Sequence, residues 1–472
     1  MTKHPRTSAV ALAMALLLGG CSFIPTYERP AAPIPATYAA NDPATANATA
    51  AAAPWQDYFA EPRLRQLIEV ALANNRDLRV AVLNIEQARA TFQVRRADMY
   101  PGVGLAANAS RAPAAGTGEL TNSFSVGLAI SAWEIDFFGR IASLKEQALA
   151  QYLATEEGRN AAQVSLVAAV ANGWLNLLAD EELLELSRQT LASREESVRL
   201  TRMRLDAGVA SELDFRQAES LTQAARATLA QQQRQRALDE NALALLLGQS
   251  LPDEVRASLA GSRLAQAPAM AQLPAGLPSE LLTRRPDIRQ AEQQLIAANA
   301  NIGAARAAFF PRISLTAQAG TASGELSGLF KNGSWGFTLA PSLLLPIFDA
   351  GRNQANLESA RAGRGIAIAQ YEKAIQTAFR EVSDALAGQA TLGDQAQAQQ
   401  LQAQAEAARL QLADLRYRNG VSSYLDLLDA QRSLFTAQQA VVQVKLAQLQ
   451  NQVALYKALG GGAPATSLDL PS

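Results

Sequence analysis

The stretch Arg204-Leu-Asp-Ala-Gly-Val-Ala-Ser-Glu-Leu-Asp214 returns in altered form as Arg416-Tyr-Arg-Asn-Gly-Val-Ser-Ser-Tyr-Leu-Asp426. The two copies stand 212 residues apart, counted from Arg204 to Arg416, and share an arginine, a Gly-Val pair, a serine and a Leu-Asp pair. This spacing is far longer than the roughly 20–50 residues of a solenoid repeat. We therefore interpret the chain as a duplicated half-domain, whose pseudo-symmetry suggests a ring-like assembly.

A second repeated segment supports the duplication, at an offset of 210 residues from Asp77 to Asp287. One copy is a helical segment that ends at Tyr100-Pro101, and the other ends at Phe310-Pro311. In the first copy, apolar residues recur at helical spacing. Each half of the chain then reads as a helix, two strands, a very long helix, a turn and a return helix.

The long helices are predicted from the absence of proline. The stretches Arg140–Asp206 and Gly351–Arg418 contain none and are rich in Ala, Gln, Leu, Glu and Arg, which are strong helix formers. Helices of this length are stable only when they pack along another helix. Because Gly208 and Gly420 allow the chain to reverse, the sequence predicts two antiparallel helical hairpins. The predicted return helices are Leu213–Leu247 and Leu425–Leu459.

Between the short and the long helix of each half, two segments alternate between apolar and small or polar residues, as strands do. Four strands of about ten residues suit a transmembrane β-barrel, but the smallest known barrels have about eight. The pattern therefore predicts a barrel shared by several chains; the alternative is a soluble sheet that covers a small core. The predicted membrane-facing and aromatic-girdle residues are Phe124, Val126, Leu128, Ile130, Trp133, Phe330, Trp335 and Phe337.

The first twenty residues read as an export signal, in which Leu17-Leu18-Gly19-Gly20 leads to Cys21, the only cysteine in the chain. This pattern predicts a lipoprotein, with a diacylglycerol on the Cys21 thiol and an acyl chain on its amino group. An ordinary signal peptide with an incidental cysteine is the alternative. Ser22 favours the outer membrane as destination. Residues 22–54 are predicted to be an extended tether with little structure of their own.

Removal of the signal would leave no histidine and no free thiol, because His4 is the only histidine. This excludes histidine-dependent catalysis and nearly all zinc or copper sites. No phosphate-binding loop or EF-hand sequence is present either. The sequence therefore predicts no enzyme, no catalytic residue and no metal site. The net charge of −1 argues against nucleic acid as a partner.

Several motifs resemble those of the TolC-like outer-membrane efflux proteins, and most closely the lipidated OprM-type channels of resistance-nodulation-division (RND) multidrug exporters. The motifs are the segment that ends at Cys21, Arg285-Pro-Asp-Ile288, Ala307-Ala-Phe-Phe-Pro311, Pro346-Ile-Phe-Asp-Ala-Gly-Arg352 and Arg416–Gln431. The resemblance implies a mainly α fold with a transmembrane β-barrel. Three identical chains would form a 12-stranded barrel, four strands from each, continued by a long periplasmic α-helical barrel of coiled-coil hairpins.

The resemblance also implies a passive role in drug efflux. The homotrimer would conduct antibiotics and other toxic compounds out of the periplasm after docking to a periplasmic adaptor (membrane fusion) protein and an inner-membrane RND pump. Two rival functions stay open. One is a type I secretion or metal-efflux channel of the same fold, and the other is a lipid-anchored periplasmic coiled-coil scaffold.

The same resemblance places a gate near the periplasmic ends of the hairpins. Asp429 and Leu425 would project into the pore, and Arg416, Tyr417 and Asp206 would hold the helix pairs closed through ion pairs and hydrogen bonds. A solvated helix-face carboxylate is the alternative for Asp429, since Gln217 stands at its place in the first repeat. The predicted adaptor-docking residues are Gly208, Val209, Ser211 and Leu213 at one tip and Gly420, Val421, Ser422, Ser423 and Tyr424 at the other.

The predicted domain organisation follows the duplication. Residues 1–20 are the signal peptide, 21–62 a lipid-anchored extended segment, 63–248 the first repeat, 249–286 an equatorial connection, 287–460 the second repeat and 461–472 a flexible tail.

Overall fold

The computed structural model describes residues 22–35, 38, 54–113, 116, 118–264, 270 and 285–462. The predicted signal peptide with Cys21, most of residues 36–53, much of the equatorial connection and the tail from residue 463 lie outside the described residues.

The described elements follow the predicted order in both halves of the chain. They are α1 (Trp55–Tyr58), α2 (Pro62–Asn74), α3 (Arg76–Ala97), β1 (Val103–Pro113), β2 (Leu120–Ile135), α4 (Arg140–Asp206), α5 (Glu212–Leu247), α6 (Asp253–Ala257), α7 (Pro286–Ala307), β3 (Arg312–Ser323), β4 (Trp335–Leu344), α8 (Arg352–Arg418) and α9 (Tyr424–Ala458). The long helices α4 and α8 each span 67 residues and end where the sequence predicted.

The chain divides into two compact units. The strand unit comprises Leu83–Glu157, Arg289–Lys373 and the described part of Met1–Ala32. The hairpin unit comprises the described parts of Pro33–Val82, Gly158–Ile288 and Ala374–Ser472.

The strand unit contains a four-stranded antiparallel sheet in the order β1-β2-β3-β4. β2 carries a bulge between Ile130 and Trp133, where Ala132 has a φ of 48°. The extra residue moves Trp133 onto the face that carries Ile130, and it pairs with Leu315. The alternation that the sequence predicts for this strand is therefore interrupted here, because a bulge shifts the period by one residue.

The beginning of the described chain is not a free tether. Residues 22–32, called the strap below, form no helix or strand but lie along α7 in the strand unit. The guanidinium of Arg29 donates two hydrogen bonds of 2.7 and 2.9 Å to Glu292, and the ring of Phe23 stacks on Phe310 at 4.6 Å. The strap has no helix or strand, in keeping with a segment of little structure of its own, but these contacts fasten it to α7, which the sequence did not predict.

The core of the hairpin unit includes aromatic side chains. Trp174 of α4 is fully buried and donates a hydrogen bond of 2.9 Å from its indole nitrogen to Glu61. The ring of Tyr58 stacks on Tyr456 of α9 at 4.4 Å, and its hydroxyl donates to the carbonyl of Gln452. The segment around α1 and α2 is therefore tied to both α4 and α9.

Arg285, in the Arg-Pro-Asp-Ile motif, is a structural clamp. Its buried guanidinium forms ion pairs with Asp287 and with Glu381 of α8, both at 2.8 Å. It also donates 2.8 Å to the carbonyl of Ala458 at the end of α9. One of the motifs that carried the family resemblance thus fastens the second hairpin.

Candidate functional site

The sheet separates apolar from polar residues between its two faces. Residues directly opposite each other in antiparallel strands project from the same face. One such row contains Leu105, Leu128, Ala319 and Phe337. The neighbouring rows on this face contain Val103, Ile130, Ala317 and Leu339, and Ala107, Val126, Thr321 and Trp335.

The opposite face is polar and contains a row without long side chains. Ala106, Gly127, Gly320 and Gly336 lie directly opposite one another across the four strands. A β-carbon on Gly127 or Gly320 would collide with the backbone of the other strand, so the two strands approach closely here. Ser125 and Gln318 flank this row on the same face. Such a face suits a water-filled passage.

Both outer strands, β1 and β4, have an open edge in the described sheet. In lipid each unpaired backbone group would cost several kcal/mol, so membrane sheets close into barrels. The predicted membrane-facing residues of β2, together with Trp133, Trp335 and Phe337, all share the apolar face. Phe330 precedes β4 and is exposed. The geometry is that of one segment of a barrel wall.

The two hairpin tips have the same backbone conformation. Gly208 and Gly420 have φ values of 72° and 71°, in the left-handed region that favours glycine. The next amides, of Val209 and Val421, donate 2.9 Å hydrogen bonds to the carbonyls of Arg204 and Arg416. This is the Schellman termination of a helix.

Each return helix then begins with a capping box. The Ser211 hydroxyl accepts from the Asp214 amide, and the Asp214 carboxylate accepts from the Ser211 amide. Ser423 and Asp426 repeat this arrangement. Local capping thus explains the repeated glycine, serine and aspartate. The sequence predicted the glycines as turn residues and also assigned the glycines and serines to docking, but it did not predict the caps.

Four apolar side chains at the tips are not explained by capping. They are exposed by 58–66% and belong to Val209, Leu213, Val421 and Leu425. Tyr424, also a predicted docking residue, is only 6% exposed. It packs with Leu427, Leu428 and Ala218 against residues of both hairpins, and this burial raises the pKa of its hydroxyl.

Asp429 lies between two arginines of its own chain. Its carboxylate accepts from Arg409 of α8 at 2.5 Å and from Arg432 of α9 at 2.9 Å, so its pKa is held below its usual value. Arg409 also pairs with Glu406 at 3.1 Å. Sequence reasoning missed both arginines; Arg432 stands one helical turn from Asp429, but Arg409 is adjacent only through the register of the hairpin.

The other predicted gate residues do not form the predicted pairs within one chain. Asp206 pairs with Arg202 at 3.2 Å. The Tyr417 ring contacts Tyr424 at 5.3 Å and lies under the guanidinium of Arg204 at 4.9 Å. Among the described residues, Arg416 forms no side-chain ion pair. The predicted gate stays a prediction.

Comparison with known proteins agrees with this geometry. A family profile described as "Outer membrane efflux protein" matches residues 67–249 and again residues 277–461. The chain is 47% identical over 472 residues to the probable efflux pump outer membrane protein TtgC of Pseudomonas putida, covering 98% of this chain and 96% of that one. It is 45% identical over 466 residues to the outer membrane protein OprJ of Pseudomonas aeruginosa, covering 98% and 97%.

A solved structure shows the same fold. The open state of the MtrE outer membrane channel of Neisseria gonorrhoeae matches with a TM-score of 0.84 at 42% identity, over 94% of this chain and 98% of that one. The resemblance inferred from the motifs is confirmed, and with it the TolC-like fold and the outer-membrane location. The chain belongs to the outer membrane efflux protein family.

Proposed function

We propose that three copies of this chain form an outer-membrane channel through which a tripartite pump exports toxic compounds. The observation that carries the proposal is the sheet, which has one apolar face, one polar face with a row of glycines, and two open edges. Three copies would supply twelve strands, an even number within the range of bacterial barrels. The apolar face would meet lipid and the polar face would line the passage.

The cargo would be small organic compounds. Similar proteins are named as components of toluene and antibiotic efflux pumps, at 47% identity in both cases. Among the described residues, no group of three or more His, Cys, Asp or Glu side chains is arranged to hold a metal ion. The chain would act as a passive conduit, with energy supplied by an inner-membrane RND pump.

The tips would dock to a periplasmic adaptor. Support comes from Val209, Leu213, Val421 and Leu425, which are exposed although the turn itself does not need them. Because the caps fix both turns, these side chains are presented on a preformed surface, which reduces the ordering cost of binding. Arg416 would remain free to contact the partner.

A gate would lie just inside the tips, around Leu425 and Asp429. Each Asp429 is neutralised by arginines of its own chain, so three copies would form a ring of ion pairs in place of a bare ring of carboxylates. Exposed ion pairs are weak. Partner binding can therefore shift the equilibrium toward an open state.

The lipid on Cys21 would hold the chain at the inner leaflet of the outer membrane. The strap that follows Cys21 is fastened to α7 close to the start of β3, through Phe23 and Phe310. The anchor and the barrel wall would therefore meet the same membrane surface.

Two experiments test the proposal. One measures the conductance of the purified protein in planar bilayers, and the other expresses the protein in a strain that lacks its own outer-membrane channel. We expect ion conductance, and we expect resistance to solvents and antibiotics when the cognate adaptor and pump are supplied. A photo-cross-linker at Ser422 should capture the adaptor, and one at Asp253, in α6, should not. A protein that neither conducts nor restores resistance would refute the channel, and restored resistance to metal salts alone would indicate a metal-efflux channel.

A further inference from the structure

One buried charge in the hairpin unit has no counter-charge within the described part of the chain. The side chain of Arg194, in α4, is only 5% exposed, and its Nη1 nitrogen has no hydrogen-bond partner. The one side-chain hydrogen bond at this residue involves its main-chain carbonyl, which accepts from the hydroxyl of Thr222 in α5 at 3.2 Å. The guanidinium itself is therefore buried and unpaired.

Other buried charged side chains of the chain do have partners of opposite charge. Glu181 and Glu292 each accept from an arginine, and Arg285 pairs with two carboxylates. Burial of an ion without such a partner is strongly unfavourable, because the ion loses its hydration and gains no opposite charge. Arg194 therefore requires a counter-charge that its own chain does not supply.

The charged and titratable groups that act on Arg194 cannot neutralise it. They are Tyr424 and Arg432, both of α9, and Arg432 is itself a cation that pairs with Asp429 at 2.9 Å. Burial raises the pKa of the Tyr424 hydroxyl, so this group stays neutral. Burial lowers the pKa of Arg194, but an arginine keeps its proton in proteins. The region between α4 and α9 is therefore buried and positively charged.

The same region contains a hydroxyl that can donate to an anion. The Tyr424 hydroxyl is buried and has no hydrogen-bond partner. The hydroxyls of Ser197 and Thr201 lie near enough to offset part of the rise in its pKa, but they form no hydrogen bond with it. Both of them donate to carbonyls of α4 instead. The donors left for a ligand are thus the guanidinium of Arg194 and the phenol of Tyr424.

We propose that this region binds one small monovalent anion, held by the guanidinium of Arg194 and the hydroxyl of Tyr424. One positive charge balances one negative charge, and a halide loses its hydration at less cost than a sulfate or phosphate dianion. The site would therefore select chloride or bromide over sulfate. The bound anion would link α4 of the first hairpin to α9 of the second, whatever compound the protein conducts.

A carboxylate from another copy or from a partner protein is the competing counter-charge. The burial of Arg194 favours a free ion, because the guanidinium is already covered within one chain. A side chain from outside would need a wider opening than the 5% exposure of Arg194 provides. A halide ion is close to water in size and needs far less space.

The first test follows thermal unfolding of the purified protein in detergent, while sodium chloride replaces sodium gluconate at constant ionic strength. We expect chloride to raise the unfolding midpoint by about 2 °C, since a ligand that binds only the folded state stabilises it. Arg194→Met should lose this increase, and in gluconate it should unfold no earlier than the unaltered protein, because the unpaired charge is gone.

Two further variants complete this test. Arg188→Met, at an exposed arginine of α4 that pairs with Glu185 at 3.6 Å, is the matched control and should keep the increase. Tyr424→Phe removes only the donating hydroxyl. It should raise the chloride concentration for half of the increase about tenfold.

The second test needs no variant, since bromide replaces chloride in crystals and its position is found by anomalous scattering. We expect a bromide peak beside the guanidinium of Arg194. The absence of this peak, or a chloride effect that Arg194→Met retains, would overturn the proposal. A peak without the chloride effect would mean binding at crystal concentration only and would overturn it too. An Arg194→Met variant that is destabilised equally in both salts would show a packing role or a carboxylate from another chain, and no anion site.

Discussion

The first hairpin (α4–α5) and the second hairpin (α8–α9) share their turn but differ in what holds them. The Schellman termination and the capping box recur with matching hydrogen bonds. Beyond the turn, Asp429 links α8 to α9 through Arg409, whereas Gln217 stands at its place in the first hairpin. At the first tip, the guanidinium groups of Arg202 and Arg216 both contact the ring of Phe215, at 5.2 and 5.5 Å from its centre.

This difference separates the features that the fold requires from those that have diverged. A helical hairpin needs a turn and two caps, so both copies keep them. Contacts between the helices are free to change after a duplication, because many combinations stabilise the same backbone. The diverged positions are therefore where the two hairpins can take different functional roles.

The largest expected difference lies in the core. Trp174 of α4 and Leu386 of α8 occupy equivalent buried positions, but Trp174 also bonds to Glu61 and lies under Arg63. We expect Trp174→Ala to destabilise the protein by roughly 3–5 kcal/mol, and Leu386→Ala to cost less because no polar partner is stranded. Thermal unfolding followed by circular dichroism in detergent measures both. Equal shifts in the unfolding midpoint of the two variants would show that the two buried positions contribute equally to stability.

The second difference is pH dependence. Burial and a hydrogen bond with Asp239 raise the pKa of Asp180 in the first hairpin to about 8. A raised folded pKa gives stability that is complete below the ordinary value of 3.8 and is lost as the pH rises through about 8. Arg236 and Glu181 are the other charged groups that affect Asp180. At the place of Asp239 the second hairpin has Asn451, which donates to the Ala385 carbonyl.

We therefore expect Asp180→Asn to flatten the fall in unfolding midpoint between about pH 4 and pH 8. Asp253→Asn, at an exposed carboxylate on α6, is the matched control and should leave the profile unchanged. A profile that stays as steep in Asp180→Asn as in the unaltered protein would show that other groups cause it.

A third comparison concerns the proposed gate. Asp429→Ala should raise single-channel conductance and drug leak, because Arg409 and Arg432 lose the carboxylate that connects them. Gln217→Ala, at the equivalent position, should leave conductance unchanged. If the two variants conduct alike, Asp429 has no role in gating and the hairpins do not differ in it.

The smallest expected difference is between the two caps. Ser211→Ala and Ser423→Ala each remove a hydroxyl that accepts from the aspartate amide and donates to the aspartate carboxylate, and each should cost about 1 kcal/mol. Hydrogen exchange of the amides of Asp214 and Asp426 reports the local opening. Clearly unequal costs would mean that one tip is stabilised by contacts beyond its own cap.

Much of this organisation is predictable from the sequence. Residues 140 and 206 bound α4 as predicted, because helix propensity, the absence of proline and a terminating glycine are all local signals. The return helices begin one residue before the predicted Leu213 and Leu425. The bulge in β2 that places Trp133 on the apolar face was not predicted, since it depends on pairing with β3.

The residues of the candidate site were likewise only partly predictable from the sequence. Gly420 and Ser423 were found from a repeated motif, whereas the partners of Asp429 and the burial of Tyr424 were not. Arg409 stands twenty residues before Asp429 and meets it only across the hairpin. Such a contact depends on how the two helices of the hairpin are aligned, and no local sequence pattern predicts that alignment.

The sequence by itself determined the duplication, the hairpins, the alternating strands and the family, because each follows from short-range periodicity or from a motif. Only the tertiary structure decided that the strap is fastened to α7, that Asp429 is neutralised within its own chain, and that Tyr424 is buried. The physical reason is that hydrophobic period and capping act over a few residues, whereas ion pairing and burial depend on which distant segments the fold brings within contact distance.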